Sequence, residues 1–387
     1  MQGTTNSAND MDTSLEKLQR QLSWLQRDPV NTALYRQCVD AATALQRHDL
    51  LLEIANQALE QRPDDPAVRF DRANAYIGLR DYRAALATLA EIPPASSEQR
   101  DAITANRALC HYCLGEFAEA LPPLTSEYER GQRNAPTLFM LVRSHHHLGQ
   151  LDEAVAIARQ NAAPAGNDAA LAGAYALLFM DAEDVGAAAR WAATALRLDP
   201  RSVDGAITEG TLAIMRLQTD RARQLFDTAL ETSPQAARAW IGLGTLSMLQ
   251  QDLRGAESNF ERGLQTLPQF VGGWHMLGWS QLMQQNLPAA ERSFNEALAL
   301  DRNFGETHGA LAVVDAMKGD VSSAQQRLNM ARRLDPQCAS AQLAVALLED
   351  PTLKGARSQE IIQQALVGIS GQNQSALSRL LVKQRKH

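Results

Sequence analysis

The sequence predicts an all-α chain, a solenoid of antiparallel helical hairpins stacked one after another. Three observations predict it: prolines spaced by 34 residues, small residues recurring at fixed places within that spacing, and an apolar content of 45% with aromatics at only 5%. Ala, Leu and Gln recur throughout, which favours closely packed helices over sheets. At 387 residues the chain exceeds a typical single domain, and a repeat array absorbs that length.

Pro200, Pro234, Pro268 and Pro336 differ by 34, 34 and 68 residues, the skipped position being Arg302. With that proline at place 32 of a 34-residue unit, units begin at Asp101, Ala135, Ala169, Val203, Ala237, Val271 and Gly305. Pro66 begins a unit one residue longer, the extra residue falling in Pro93-Pro94-Ala95-Ser96-Ser97, and Thr32 begins another. Nine units therefore run from Thr32 to Cys338. Before them, Leu15, Leu18, Leu22 and Leu25 mark a helix over Thr13–Arg27 that caps the array, after a polar, disordered first dozen residues. After them, Ala341–Leu348 reads as another first helix, and Ser358–Val367 and Ser375–Val382 as closing helices ahead of a basic tail.

Two antiparallel helices approach closely only where side chains are short. Place 8 holds Ala73, Ala108, Ala176, Gly210, Gly244, Gly278 and Ala312, with Val39 and Val142 as exceptions. Place 20 is Ala85, Ala120, Ala154, Ala188, Ala222, Ala256, Ala290 and Ala324, with Leu51 in the first unit. Larger residues fill the hairpins: Trp240 and Trp274 at place 4, and Phe226, Phe260 and Phe294 at place 24. Turns such as Leu114-Gly115-Glu116, Leu148-Gly149-Gln150 and Lys318-Gly319-Asp320 offer glycine where the first helix of a hairpin ends.

This pattern resembles the tetratricopeptide repeat, most closely in the unit with Trp240, Leu243, Gly244, Ala256, Phe260 and Pro268. The resemblance implies a right-handed superhelix whose first helices line a concave groove that holds ligands. In the first four units the groove places are polar or mixed, with Arg36, Asp40, Asn74, Tyr112, Arg143, His146 and His147. From the fifth unit they turn apolar, and the expected partner-binding groove comprises Leu177, Met180, Ile207, Thr211, Met215, Ile241, Met248, His275, Trp279, Met283, Val313 and Met317. His275 and Trp279, four residues apart on one helical face, are its expected anchors. Five of these residues are methionines in successive units, an unbranched stripe that repacks around varied partners, or, on the alternative reading, ordinary core between hairpins. Some relatives clamp a terminal carboxylate with Lys, Asn and Arg. Here Asn74 and Asn106 stand in place, but Phe70, Pro136 and Met140 replace the basic members.

The net charge of −7 and the lack of a basic stripe argue against a nucleic-acid partner. No apolar run is long enough to insert in a membrane and no Sec-type leader precedes the array, so the sequence reads as soluble and cytoplasmic. Four cysteines are too few for a disulfide framework, which fits a reducing compartment. No P-loop, dinucleotide glycine pattern, nucleophile elbow or HExxH motif stands in the chain, so neither an enzyme nor a cofactor is expected. Cys110-His111-Tyr112-Cys113 and His145-His146-His147 alone have metal-ligand spacing, and without a second cysteine pair the expectation is no tightly held metal. The expected function is a non-catalytic scaffold or assembly chaperone that holds an apolar segment of another protein, resembling bacterial proteins of this family in secretion, pilus or envelope assembly. The alternative is a regulatory protein that senses a peptide or small ligand.

Overall fold

The computed structural model describes residues 4–93 and 96–349. Among the described residues every regular element is a helix. Met1–Arg133 and Asn134–His387 form two units. The sequence-expected helices at Ser358–Val367 and Ser375–Val382, and the tail with Lys383, Arg385 and Lys386, lie outside the described residues.

The first unit holds α1 (Thr4–Arg27), α2 (Thr32–Ala44), α3 (His48–Gln61), α4 (Pro66–Gly78), α5 (Tyr82–Ala90), α6 (Ser97–Cys113) and α7 (Phe117–Glu129). Helix α1 packs on α2 and buries Leu18 and Leu25, and it begins at Thr4, where apolar spacing alone marks Thr13. Helix α6 begins at Ser97 instead of Asp101, because Ser96 accepts a hydrogen bond from the backbone N–H of Gln99 and caps the helix there.

The second unit continues with α8 (Ala135–His147), α9 (Leu151–Gln160), α10 (Ala162–Ala165), α11 (Ala169–Asp181), α12 (Val185–Leu198), α13 (Val203–Met215) and α14 (Thr219–Thr232). It closes with α15 (Ala237–Leu249), α16 (Leu253–Thr266), α17 (Val271–Met283), α18 (Leu287–Leu300), α19 (Gly305–Lys318), α20 (Val321–Leu334) and α21 (Ala339–Glu349). Each hairpin pairs a first helix with the next, as α15 with α16 and α17 with α18, and first helices also touch their successors, as α11 does α13. The fourth hairpin is irregular. Its second helix stops at Gln160, buried Asn161 returns its Nδ2 to the carbonyl of Ile157, and α10 forms a separate turn.

Hairpin packing follows a volume rule. A Cβ on Gly210 would stand 2.7 Å from Phe226, on Gly244 2.7 Å from Phe260, and on Gly278 2.6 Å from Phe294, so each ring fills the space its glycine leaves. The same two places hold Ala73 with Leu89, Ala108 with Leu124, and Ala312 with Leu328, all buried. Across these six hairpins summed volume is nearly constant while its division changes, as close packing favours; the hairpin of α11 and α12, with buried Ala176 and Ala192 at the same places, departs from it.

Place 15 of all nine units is left-handed. Gly115, Gly149 and Gly319 have φ of 74°, 74° and 84°, and Gln46, Arg80, Glu183, Leu217, Gln251 and Gln285 lie between 54° and 64°. The tight turn into the second helix needs that conformation whatever residue stands there. Only three units carry the residue that adopts it without strain.

Candidate partner-binding site

The inner row of the second unit is built from α11, α13, α15, α17 and α19. These helices are apolar on nearly all sides: α11 buries every residue from Leu171 to Asp181, and α17 buries His275 to Met283 in one run. Their partners α12, α14, α16, α18 and α20 bury one stripe each. A helix needs one apolar face to hold its hairpin and another to hold the next. The all-round burial of α11 and α17 goes beyond those two faces.

The structure places nine of the twelve expected groove residues inside the protein: Leu177, Met180, Ile207, Ile241, Met248, His275, Trp279, Met283 and Val313. Thr211, Met215 and Met317 are half-buried. Met248 and Met283 belong to the hydrophobic core of the stacked hairpins, whereas buried Met180 lines a small cavity with Leu177 and Ile207. The expected anchors are part of that core, since His275 is 0% and Trp279 3% exposed. Trp279 Nε1 donates to His275 Nε2 at 2.9 Å, and Thr307 Oγ1 lies 3.4 Å from His275 Nδ1. An indole N–H can only donate, so Nε2 accepts and the ring proton sits on Nδ1, facing the Thr307 hydroxyl. Phe294 and Phe304 pack against the imidazole, each with ring centroids 5.4 Å away.

What closes the inner face is a set of charges that the repeat pattern does not reveal. Asp181, in the last turn of α11, accepts from both arms of Arg238 on α15, at 2.9 and 2.5 Å, and from His146 Nε2 of α8 at 2.7 Å. Its side chain is 0% exposed. Burial works to raise this carboxyl, but Arg238 and the His146 hydrogen bond more than offset that and hold it below the usual range. Arg143 of α8 reaches Asp204 of α13 at 3.5 Å. Both Arg–Asp pairs join alternate hairpins, spanning 57 and 61 residues. Beneath them Leu177, Met180, Ile207, Ile241, Phe270 and Arg238 surround a cavity of only about 20 Å³. The sequence signal was Asp181 itself, a carboxylate ending an otherwise apolar helix.

The first unit treats its inner places differently. Asp71 accepts from the Tyr35 hydroxyl at 2.9 Å and from Arg36 at 3.4 Å. Asn106 Nδ2 donates to Asn74 Oδ1 at 2.7 Å, so the two asparagines of the clamp pattern engage each other. The cysteine–histidine cluster does not assemble as ligands. Cys110 is buried with its thiol pushed up to about 11 by burial and by Cys113, Cys113 is exposed, and His146 is committed to Asp181. Among the described residues no group of three or more His, Cys, Asp or Glu is arranged to hold a metal ion.

The fold and its inner row define an all-α array of repeated hairpins. Residues 52–106 and 207–269 each match a family model described as tetratricopeptide repeat, so the chain carries tetratricopeptide repeats over those two segments. No curated protein matches it. Among solved structures it is similar to the Cut9–Hcn1 hetero-tetramer of the APC/C, at 17% identity and a TM-score of 0.56 over 79% of this chain. The chain spans 58% of the length of that one. It is also similar to pilF of Pseudomonas aeruginosa, with 16% identity, 55% of this chain, 96% of that one and a TM-score of 0.43. A third is YrrB, described as a tetratricopeptide-repeat protein with an unusual peptide-binding site, with 18% identity, 50% of this chain, 97% of that one and a TM-score of 0.36. At these identities the likeness is one of fold.

Proposed function

We propose that the protein is a non-catalytic scaffold or assembly chaperone that binds an apolar segment of another protein along the inner row of its second unit. The observation that carries this reading is the nearly all-round apolar burial of α11, α13, α15, α17 and α19, beyond the two faces that stacking hairpins require. A segment reaching that inner row meets Thr211, Met215 and Met317 first, the half-buried residues at its margin, and Leu177, Ile207, Ile241 and Val313 beneath. The fitting partner is a subunit whose apolar segment stays uncovered until it is assembled, as in secretion, pilus or envelope assembly. Four free cysteines suit a reducing compartment such as the cytoplasm, and no described helix is long and apolar enough to cross a membrane.

A photo-crosslinking residue at Met215 or Met317, expressed in the native host, tests this. The expected product is a crosslink to an apolar segment of one protein, absent when the crosslinker stands at exposed Val30 of the first unit. Crosslinks only to charged surfaces, or the same products from Val30, would remove the reading. A second reading, a ligand-sensing regulator, is favoured by one feature: the charged pairs that tie alternate hairpins.

A further inference from the structure

We infer that Asp181, held by Arg238 and His146, is a latch that keeps the inner face of the second unit shut and must release before a partner can load. The inference rests on the reading of that face as the binding surface. Its first support is position. Place 13 carries Met215, Leu249, Met283 and Met317 in the four units that follow, so from the fifth unit onward Asp181 alone puts a carboxylate at this place. Replacing a buried ion pair with apolar side chains of similar volume is commonly neutral or stabilising, so packing alone gives no reason for a carboxylate there.

Connectivity is the second support. Ordinary hairpin contacts join neighbours in the chain, whereas Asp181 gathers α8, α11 and α15, so His146 and Arg238 stand on first helices three units apart. Changing the curvature of a stacked array alters distances between non-adjacent units most, so such a contact resists opening more than any nearest-neighbour contact. Third, Arg238 roofs the cavity lined by Leu177, Met180, Ile207 and Ile241, and stacks on Phe270 at 5.2 Å. When Arg238 swings away, its charge leaves the apolar face and the cavity opens in the same motion. Arg143–Asp204 is a second, weaker tie at 3.5 Å. The device is bistable: the pair is either fully made and dry, or broken and solvated, with little stability between.

Hydrogen exchange read by mass spectrometry on the full chain tests the latch with Asp181→Asn, which keeps side-chain shape, and Arg238→Lys, which keeps charge but loses the two-armed contact. We expect exchange in α11 and α15 to accelerate at least tenfold in Asp181→Asn, and less in Arg238→Lys, while α18 and α20 keep their rates. Binding of the dye 1-anilinonaphthalene-8-sulfonate should rise several-fold with helicity retained. Unchanged exchange in α11 and α15, or equal acceleration in all helices, overturns the latch. Should Asp181→Asn not fold, the graded effect of Arg238→Lys on α11 against α20 decides alone. A synthetic amphipathic Leu/Lys peptide then separates the two readings. If the helices open and the peptide binds no tighter, the latch stands and this face is not the binding surface.

Discussion

Two aspartates, one in each unit, sit inside the protein beside an arginine, and they titrate in opposite directions. Asp71 of the first unit is raised above the ordinary carboxylate range, because burial dominates and Arg36 is half in solvent, its side chain 50% exposed and 3.4 Å away. Asp181 of the second unit is lowered, because Arg238 is itself mostly buried, grips both oxygens, and is joined by His146. A buried carboxylate is stabilised by the geometry and dryness of its partner, not by the mere presence of an opposite charge. The same contrast runs through the inner places of the two units. One keeps them polar, while the other, from α11 onward, fills them with apolar side chains and closes them with a dry ion pair.

The comparison breaks most easily at these two residues. Asp181→Asn should destabilise the part of the second unit around α11 and α15 by about 3–5 kcal/mol, since it leaves Arg238 buried without its counter-charge. Asp71→Asn should stay within about 1 kcal/mol, because the amide oxygen still accepts from Tyr35 and a desolvated charge is relieved. Urea titrations followed by circular dichroism at pH 7 check both. Their pH dependence has opposite sign. The advantage from Asp181, whose native value is depressed, is present above the unfolded value of about 4 and is lost as pH falls through the native one. The penalty from Asp71, whose native value is raised, is present at neutral pH and disappears as pH falls through that native value. Acidification therefore shrinks the deficit of Asp181→Asn and improves wild type relative to Asp71→Asn. Equal costs at pH 7 would erase the distinction.

The hairpins themselves were legible in the sequence. Helices α2, α4, α8, α11, α13, α15, α17 and α19 begin at Thr32, Pro66, Ala135, Ala169, Val203, Ala237, Val271 and Gly305, the residues from which the units are counted. That is so because a 34-residue period reports contacts within a hairpin and with its neighbour. It carries nothing about contacts two units apart, so Asp181 with Arg238, and with them the closure of the inner face, had no signature in it. Helix α17 is apolar all round, and periodicity cannot assign a side to His275 or Trp279 in such a helix. The pairing of glycine with phenylalanine was visible as two separate regularities, and only the contact distances join them.

That pairing gives a test of intermediate size. Gly244→Ala places a methyl 2.7 Å from the Phe260 ring and should cost about 1–3 kcal/mol. Adding Phe260→Leu converts the hairpin to the Ala-with-Leu division that Ala73 and Leu89 already use in the first unit. The double variant should then be more stable than additivity of the single changes predicts, by about 1 kcal/mol or more. Strict additivity in thermal unfolding would mean that the two units do not share one packing rule.

The smallest effect concerns the place where the units behave alike. Arg80 in the first unit and Leu217 in the second both adopt left-handed backbone, with φ of 62° and 58°. A side chain there meets its own carbonyl, at a penalty of about 1–2 kcal/mol that glycine avoids, partly offset by glycine's greater freedom in the unfolded chain. Leu217 is 65% exposed, so its side chain contributes little packing that the change would lose. Leu217→Gly should therefore stabilise by about 0.5–1 kcal/mol, and Arg80→Gly by a similar amount, while Gly149→Ala should destabilise to match. Differential scanning calorimetry on the three variants reads the signs directly. If Leu217→Gly destabilises while Arg80→Gly stabilises, the exposed leucine is held by a contact specific to the second unit, and the turn is not equivalent in the two halves of the array.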